Sequence, residues 1–246
     1  MDRALYIAMS AAKNNMMAQA TRANNMANAN TTGFRSDFEQ ARSMGVYYGD
    51  GQPTRAYALT ESPATNFDFG PSIQTGRDLD VAIEGKGFIA VQAADGREAY
   101  TRIGNLSIDS AGVLRTGNNL PVMGNAGPMA IPEFQKLEIA DDGIITIVGK
   151  GAPPDSLSEV DRIKLVNPDE TQLKKGSDGL LYLDGDIDAD PNVTLVSGFL
   201  EGSNVNPMDE LTHILSLARQ YEMSVKMMRT VEENSEASAR LLQTNA

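Results

Sequence analysis

The sequence lacks cysteine and tryptophan, and it contains a single histidine among 246 residues. Without cysteine the chain can form no disulfide, no thiolate metal site and no cysteine nucleophile. The one histidine, His213, has no obvious acid or base partner near it in the sequence. We therefore interpret His213 as a packed or surface residue and not as a catalytic one.

Basic residues are also scarce. The 21 Lys and Arg are outnumbered by 33 Asp and Glu, which gives a formal net charge of -12. Nucleic acids and anionic membranes require a basic face that neutralises phosphate, so the composition disfavours both as partners.

Long hydrophobic runs are missing as well, and no stretch approaches the roughly 20 apolar residues of a membrane-spanning helix. The N-terminus does not resemble a secretory signal, because the apolar run from Leu5 to Ala12 is short and is interrupted by Ser10. Composition predicts a cytoplasmic protein, unless export uses a route that cleaves no signal peptide.

The first thirty-five residues predict one amphipathic helix with an Asn- and Gly-rich end, and this segment is poor in charge. Between Ala4 and Phe34 the charged residues are Lys13 and Arg22. Neighbouring chains can enclose such a surface without burying an unpaired charge. A heptad seam is formed by Leu5, Met9, Ala12, Met16, Gln19, Ala23, Met26 and Asn30.

The alternative is an ordinary terminal helix that packs on its own domain. Four asparagines, Asn24, Asn25, Asn28 and Asn30, favour the assembly interpretation, because asparagine is a poor helix former and leaves this end marginal without support from outside. We predict that both faces of the helix are buried in an assembly.

The C-terminal segment predicts a second long helix. Asn206 can cap it, Pro207 suits its first position, and Asp209 and Glu210 lie where the helix dipole favours negative charge. Its seam would contain Leu211, Ile214, Ala218, Tyr221, Val225, Met228, Glu232, Ser235, Ala239 and Leu242. The simplest arrangement packs the two helices antiparallel as a coiled-coil stalk.

The residues between the helices change character twice. Residues 36–77 carry many Gly and Pro and no sustained period, yet contain the aromatics Phe38, Tyr47, Tyr48, Tyr57, Phe67 and Phe69. They predict an extended connector that packs on another part of the protein.

Residues 78–201 alternate short apolar runs with turn signals, which predicts an antiparallel β barrel or sandwich. The fold class is therefore α+β: a helical domain from 1–35 and 202–246, a connector, and an all-β domain.

Several patterns resemble chemical sites and fail on inspection. The acidic run from Asp184 to Asp190 begins like a calcium loop, but Ala189 and Leu195 stand where an EF-hand needs Gly and Glu. The Gly-Lys-Gly turns at 85–87 and 149–151 lack the other residues of a phosphate loop. The sequence does not exclude a pair of carboxylates that could hydrolyse a glycoside, but it does not indicate any particular pair of Asp or Glu residues. We predict no catalytic, cofactor or metal site.

Three separated motifs resemble the bacterial flagellar rod and hook protein family. They are ANNMANANTTGFR at 23–35; LDVAIEGKGF at 79–88 with YTRIGN at 100–105; and LEGSNVNP at 200–207. The opening MDRALY and the run KMMRTVEEN at 226–234 resemble the proximal-rod branch, with the distal-rod and hook-type branches as alternatives. A different class, a secreted β-rich carbohydrate-binding module on a coiled-coil stalk, stays open, although the lack of tryptophan weakens it.

The resemblance implies a structural subunit that polymerises helically in the periplasmic rod and transmits torque. Its partners would be copies of itself, other rod proteins and the flagellar type III export apparatus, with no nucleic acid and no membrane insertion. The seams and motifs together place an assembly interface at Leu5, Met9, Ala12, Met16, Ala23, Asn24, Asn25, Met26, Asn28, Thr32, Gly33, Phe34, Asn204, Asn206, Leu211, Ile214, Ala218, Tyr221, Val225 and Met228.

Overall fold

The computed structural model describes residues 3–39, 41–46, 55–60, 64–151, 153, 156–185 and 187–244. Five residues named in the sequence predictions, Met1, Asp2, Tyr47, Tyr48 and Asp186, lie outside the described residues, as do the side chains of Tyr57 and Leu242. The described chain contains two long helices and a series of short strands whose pairings are all antiparallel. The predicted α+β class is confirmed.

Helix α1 spans Arg3–Ala27, which is shorter than the predicted thirty-five residues. The Asn-rich segment ends it: the backbone N–H of Asn28 is shared between the carbonyls of Asn24 and Asn25, and a run of turns follows. Gly33 then adopts a φ of 67°, a left-handed conformation that glycine reaches without strain. Poor helix formers therefore stop α1 before the predicted end.

Helix α2 spans Pro207–Thr244 and begins where the sequence predicts. The Asn206 side chain caps it, because its Oδ1 accepts a hydrogen bond from the N–H of Met208 at 3.1 Å and its Nδ2 donates to Asp209 at 2.8 Å. The 38 residues of α2 correspond to a length of about 57 Å.

The chain divides into two compact units. The helical unit comprises Met1–Ala29, Ser36–Asn66 and Val205–Ala246, and the β unit comprises Asn30–Arg35 and Phe67–Asn204. The predicted connector, 36–77, is therefore divided between them: most of it belongs to the helical unit and its last part to the β unit.

The described part of the helical unit contains four short strands besides α1 and α2. They are β1 Asp37–Phe38, β2 Ala41–Val46, β3 Arg55–Thr60 and β4 Ala64–Thr65. Strand β2 pairs with β3, and β1 pairs with β4. Helix α1 packs against β1 and β3. Frequent Gly and Pro residues interrupt the alternation of apolar and polar residues that marks a strand. The sequence therefore predicted an extended chain here and did not predict the pairing of β2 with β3.

The β unit contains the remaining strands: β5 Ser72–Gln74, β6 Val81–Glu84, β7 Phe88–Gln92, β8 Glu98–Thr101, β9 Leu106–Ile108, β10 Leu114–Thr116, β11 Phe134–Ile139, β12 Ile144–Gly149, β13 Leu157–Arg162, β14 Leu165–Val166, β15 Lys174–Lys175, β16 Leu181–Tyr182, β17 Thr194–Ser197 and β18 Phe199–Glu201. The largest sheet has the order β14-β7-β8-β16-β15, and β11-β12-β13 form a second. Strands β6 and β17, β5 and β18, and β9 and β10 form pairs.

Strand β7 shows how the sequence determines the core. Ile89 and Val91 belong to the larger apolar cluster of the unit, whereas Phe88 and Ala90 belong to a second cluster on the opposite side. Both faces of β7 are therefore covered, which explains why its apolar run is continuous and does not alternate. The prediction of a more fully buried strand here is confirmed.

Candidate assembly interface

The two long helices pack side by side within the helical unit. Arg22, near the end of α1, forms a salt bridge with Glu210, in the first turn of α2, at 3.1 Å between Nη1 and Oε1. Since the end of one helix lies beside the start of the other, α1 and α2 run in opposite directions. Coiled-coil packing of the predicted seams stays a prediction.

Small residues line part of the buried face of α1. Ala8 and Ala12 are 2% and 6% exposed, and alanine at such positions allows two helices to approach closely. Ala12 belongs to the predicted interface, yet the subunit itself covers it. It therefore supports packing within the chain, and its part in an interface with a neighbour stays a prediction.

Many large apolar side chains of both helices are nevertheless exposed. Among the predicted seam residues, Met9 is 53% exposed and Met16 64%; Met26, Leu211 and Tyr221 are also exposed. Further exposed apolar side chains on the same helices, which the seams did not include, are Tyr6, Met17, Met208, Leu215, Met223 and Met227. Apolar surface on this scale usually marks a binding surface.

The other predicted interface residues differ in exposure. Ala23, Asn24 and Asn206 are exposed, and a half-buried group comprises Leu5, Asn28, Thr32, Gly33, Phe34, Asn204, Ile214, Ala218, Val225 and Met228. The structure does not contain a neighbouring chain, so their part in an interface stays a prediction.

Asn25 has a different position from its neighbours, because it is 0% exposed. Its Nδ2 donates to the Asp37 carbonyl at 2.7 Å and to Glu210 Oε1 at 3.2 Å, and its Oδ1 accepts from the Asp37 N–H at 2.9 Å. Asn25 thus joins α1, α2 and β1 within the subunit, and its part in an interface with a neighbour stays a prediction.

Sequence reasoning missed the partners of Asn25. Glu210 was assigned only to the helix dipole, whereas its side chain is buried against Arg22 and Asn25. A signal was present, since Arg22 is one of only two charged residues between Ala4 and Phe34 and therefore needed a specific acid.

The β unit contains a buried ion cluster. The sequence motifs did not predict that its members lie in contact. Arg35 and Arg102 share the carboxylate of Glu201, with distances of 2.7 Å to Oε1 and 2.8 Å to Oε2. All three residues are at most 5% exposed. Each comes from a different one of the three sequence motifs, which explains why charged residues occur in otherwise apolar or Gly-rich segments.

Neither a metal-binding cluster nor a membrane-spanning helix occurs among the described residues. No group of three or more His, Cys, Asp or Glu in that part of the chain could hold a metal ion. Within it, neither helix has a stretch apolar enough to cross a membrane. His213 is exposed on α2.

Three family profiles match successive parts of the chain. The profile "Flagella basal body rod protein" matches residues 5–35, "Flagellar hook protein FlgE/F/G D1 domain" matches 82–147, and "Flagellar basal body rod FlgEFG protein C-terminal" matches 196–241. The first covers most of α1 and its exit segment, and the last covers most of α2. The predicted motifs fall inside or beside these three regions.

Whole-chain relatives agree with the profiles. The chain is 38% identical over 250 residues to the flagellar basal-body rod protein FlgF of Escherichia coli, covering 98% of this chain and 99% of that one. It is 34% identical over 252 residues to FlgF of Caulobacter vibrioides, covering 98% of each. It is 30% identical over 258 residues to the rod protein FlgG of Bacillus subtilis, covering 95% and 96%. The chain therefore belongs to the flagellar basal-body rod protein family, as a structural subunit of the basal body.

Proposed function

We propose that this subunit occupies the proximal part of the rod and joins its neighbours through α1 and α2. Those neighbours are copies of itself and other rod proteins, stacked helically so that torque passes through many shared helix contacts. The observation that carries the proposal is the row of exposed apolar side chains on both helices, represented by Met9, Met16, Leu211 and Tyr221.

The energetics favour burial of this surface. A methionine or leucine side chain that moves from water into a packed interface contributes roughly 1.5–3 kcal/mol. Met16 and Met223 are 64% and 62% exposed in the single subunit, so most of that contribution is still available to a neighbour. The helix surface around Met16 carries little charge, so its burial leaves few ions to desolvate.

The proposal assigns different roles to two parts of the chain. Residues 1–35 and 202–246 would form the assembly domain, with coiled-coil contacts along the predicted seams, and 78–201 the β domain. We also infer passage through the flagellar type III export apparatus into the periplasmic rod without cleavage of a signal peptide.

Cysteine cross-linking tests the helix contacts cleanly, since the natural chain has no cysteine. Single Met16→Cys and Met223→Cys variants, expressed in motile cells, should yield cross-linked species with rod proteins when basal bodies are treated with benzophenone maleimide, which binds the one thiol and on irradiation inserts into a C–H bond of a neighbour. Leu157→Cys, 62% exposed on β13, is the matched control. Equal cross-linking at Leu157, or none at either helix position, would refute the proposal.

Complementation separates the rod branches. The full chain should restore motility in a strain that lacks FlgF and fail in one that lacks FlgG; the reverse pattern would make it a distal-rod subunit. A chain without residues 1–33 should keep a folded β unit but restore motility in neither strain. Motility with the truncated chain would show that α1 is dispensable.

A further inference from the structure

Methionine is unevenly distributed over the surface of the subunit. The sequence has 12 methionines and no cysteine. Helices α1 and α2 contain most of the methionines whose side chains are exposed: Met9, Met16, Met17, Met26, Met208, Met223 and Met227. Among the described residues, the other exposed methionine is Met44 on β2, whereas Met129 in the β unit is 1% exposed. Accessible thioether groups are therefore concentrated on the two helices.

These methionines lie at two heights along the antiparallel helix pair. The salt bridge between Arg22 and Glu210 marks one height, and Met208 lies two residues before Glu210. Met9 precedes Arg22 by 13 residues, and Met223 follows Glu210 by 13. Since both helices rise by about 1.5 Å per residue, Met9 and Met223 lie at about the same height, roughly 20 Å from the salt bridge. Exposed sulfur therefore extends along the pair and is not confined to one end.

The thioether group can change from apolar to polar by a single reaction. When a hydroperoxide oxidises methionine, the sulfur lone pair attacks one oxygen, an S–O bond forms and the O–O bond breaks. With hydrogen peroxide the second oxygen leaves as water, and the two electrons that sulfur loses reduce the peroxide. The flexible apolar side chain, which packs well against an uneven partner, thereby becomes a polar sulfoxide.

We propose that the exposed methionines of α1 and α2 are oxidation sites, and that their conversion to sulfoxides by hydroperoxides prevents the subunit from assembling. This inference rests on the proposed helix contacts. A sulfoxide oxygen requires a hydrogen-bond donor when it is buried, and the exposed side chains of Leu211 and Leu215 on the same helix pair supply none. The chain has no thiol that would compete for the oxidant.

Mass spectrometry after treatment with hydrogen peroxide identifies the methionines that gain an oxygen atom. In the free, folded chain, Met16, Met208 and Met223 are 64%, 68% and 62% exposed. They should be oxidised at least about tenfold faster than the buried Met129, because accessibility controls the reaction. In isolated basal bodies the same three should react at least about threefold more slowly than in the free chain. Equal rates for these three and Met129 in the free chain would overturn the proposal.

Substitutions test the consequence of polarity without an oxidant. Glutamine is polar, uncharged and unbranched, so Met16→Gln, Met208→Gln and Met223→Gln together imitate the sulfoxide form. In a strain that lacks FlgF, this variant should enter basal bodies at least about threefold less than the natural chain. Leucine at the same three positions keeps the surface apolar and should assemble normally, as should the control Leu157→Gln, which changes an equally exposed residue of β13. Normal assembly of the glutamine variant, or an equal loss with leucine, would refute the proposal.

The leucine variant also tests oxidation in living cells. Hydrogen peroxide, added before new rods are built, should reduce the amount of the natural chain in basal bodies at least about twofold more than that of the leucine variant. Peptides of the β unit, which are identical in both chains, measure the amount. Damage to other proteins is common to the two strains and cancels in the comparison. Equal losses of the natural chain and the leucine variant would mean that these methionines do not control assembly.

The oxidation proposal and the proposed helix contacts can fail separately. If Met16→Cys and Met223→Cys form cross-links with rod proteins while the glutamine variant assembles normally, the helix contacts stand and the oxidation proposal is wrong. If the helix methionines react as fast in basal bodies as in the free chain and neither cysteine forms a cross-link, the helix contacts are wrong, and the oxidation proposal fails with them.

Discussion

Asn25 holds the main chain of Asp37 by both of its polar groups, donating to the carbonyl at 2.7 Å and accepting from the N–H at 2.9 Å. One buried side chain thereby attaches the first strand of the helical unit to α1, while the same amide reaches Glu210 on α2. These two hydrogen bonds require a side-chain amide at residue 25, since the side chain must supply one donor and one acceptor to the same residue.

Asn25→Ala should therefore destabilise the helical unit by roughly 1–3 kcal/mol, because it leaves both polar groups of Asp37 without that partner. Urea unfolding followed by helical circular dichroism would measure the change. Asn24→Ala is the adjacent control: Asn24 is exposed, and alanine favours the helix, so stability should stay equal or rise slightly. An equal loss at both positions would argue against the specific role of Asn25.

Glu201→Gln should destabilise the β unit by about 3–5 kcal/mol, because it leaves two buried arginines without their shared negative charge. Methyl resonances of Ile145, which is fully buried in that unit, would report unfolding in denaturant. Glu138→Gln, in the exposed salt bridge with Lys136, should change stability by less than about 1 kcal/mol. A mild effect at Glu201 would mean that another group compensates the arginines.

Gly33→Ala should be more harmful than Gly76→Ala, although both glycines have nearly the same positive φ, 67° and 69°. A Cβ at Gly33 would lie 2.4 Å from the backbone carbonyl of Arg102, whereas a Cβ at Gly76 meets nothing within 4 Å. The Gly76 variant measures conformational strain alone, roughly 1 kcal/mol, and we expect the Gly33 variant to exceed it by at least about 1 kcal/mol. Equal unfolding free energies would mean that the backbone at Arg102 moves freely.

Acid should weaken the β unit partly through Asp109. The hydrogen bond from Arg115 Nε, at 2.7 Å, is the main cause that lowers the pKa of the Asp109 carboxyl, and the N–H of Val113 adds to it. A carboxyl whose pKa is lower in the folded state contributes stability above its unfolded pKa, and this is lost as pH falls through the folded value.

Asp109→Asn should therefore reduce stability near neutral pH and flatten its decline below about pH 4. Unfolding free energies measured from neutral to acidic pH, for natural chain and variant, give the comparison. Parallel curves would show that Asp109 titrates alike in folded and unfolded chains.

The last turns of α2 should exchange amide hydrogens rapidly in the dilute subunit and become protected in the assembled rod. The reason is that the side chains of residues 232–239 are exposed, so burial contributes little to the stability of this part of the helix. Hydrogen exchange with mass spectrometry would follow them, with β12 as a segment protected in both states. Strong protection in the dilute subunit would count against ordering on assembly.

Much of the fold could be predicted because helix caps and apolar runs depend only on residues that are close together in the sequence. Asn206 and Pro207 mark the start of α2 by capping and backbone chemistry, and the apolar run of β7 marks a strand covered on both faces. The end of α1 was less predictable, since a helix of poor helix formers stops where tertiary contacts stop supporting it.

The contacts that organise each unit could not be predicted, because they join residues far apart in the chain. Nothing local indicates that Glu201 accepts from Arg35 and Arg102, or that Asn25 bonds Asp37. The heptad pattern selected apolar positions on the helices, but it could not separate Ala12, which the subunit covers, from Met16, which it leaves exposed. That distinction depends on how the two helices meet.

The segment by which the chain first enters the β unit and the segment by which it finally leaves it run side by side. The N–H of Gly33 donates to the Glu201 carbonyl at 2.8 Å, and the N–H of Asn204 donates to the Phe34 carbonyl at 3.3 Å. A module whose entrance and exit are bonded together can grow, shrink or be exchanged without altering the spacing of the chain that enters and leaves it. Changes of length inside the β unit can therefore be accommodated while its first entry and its final exit stay adjacent.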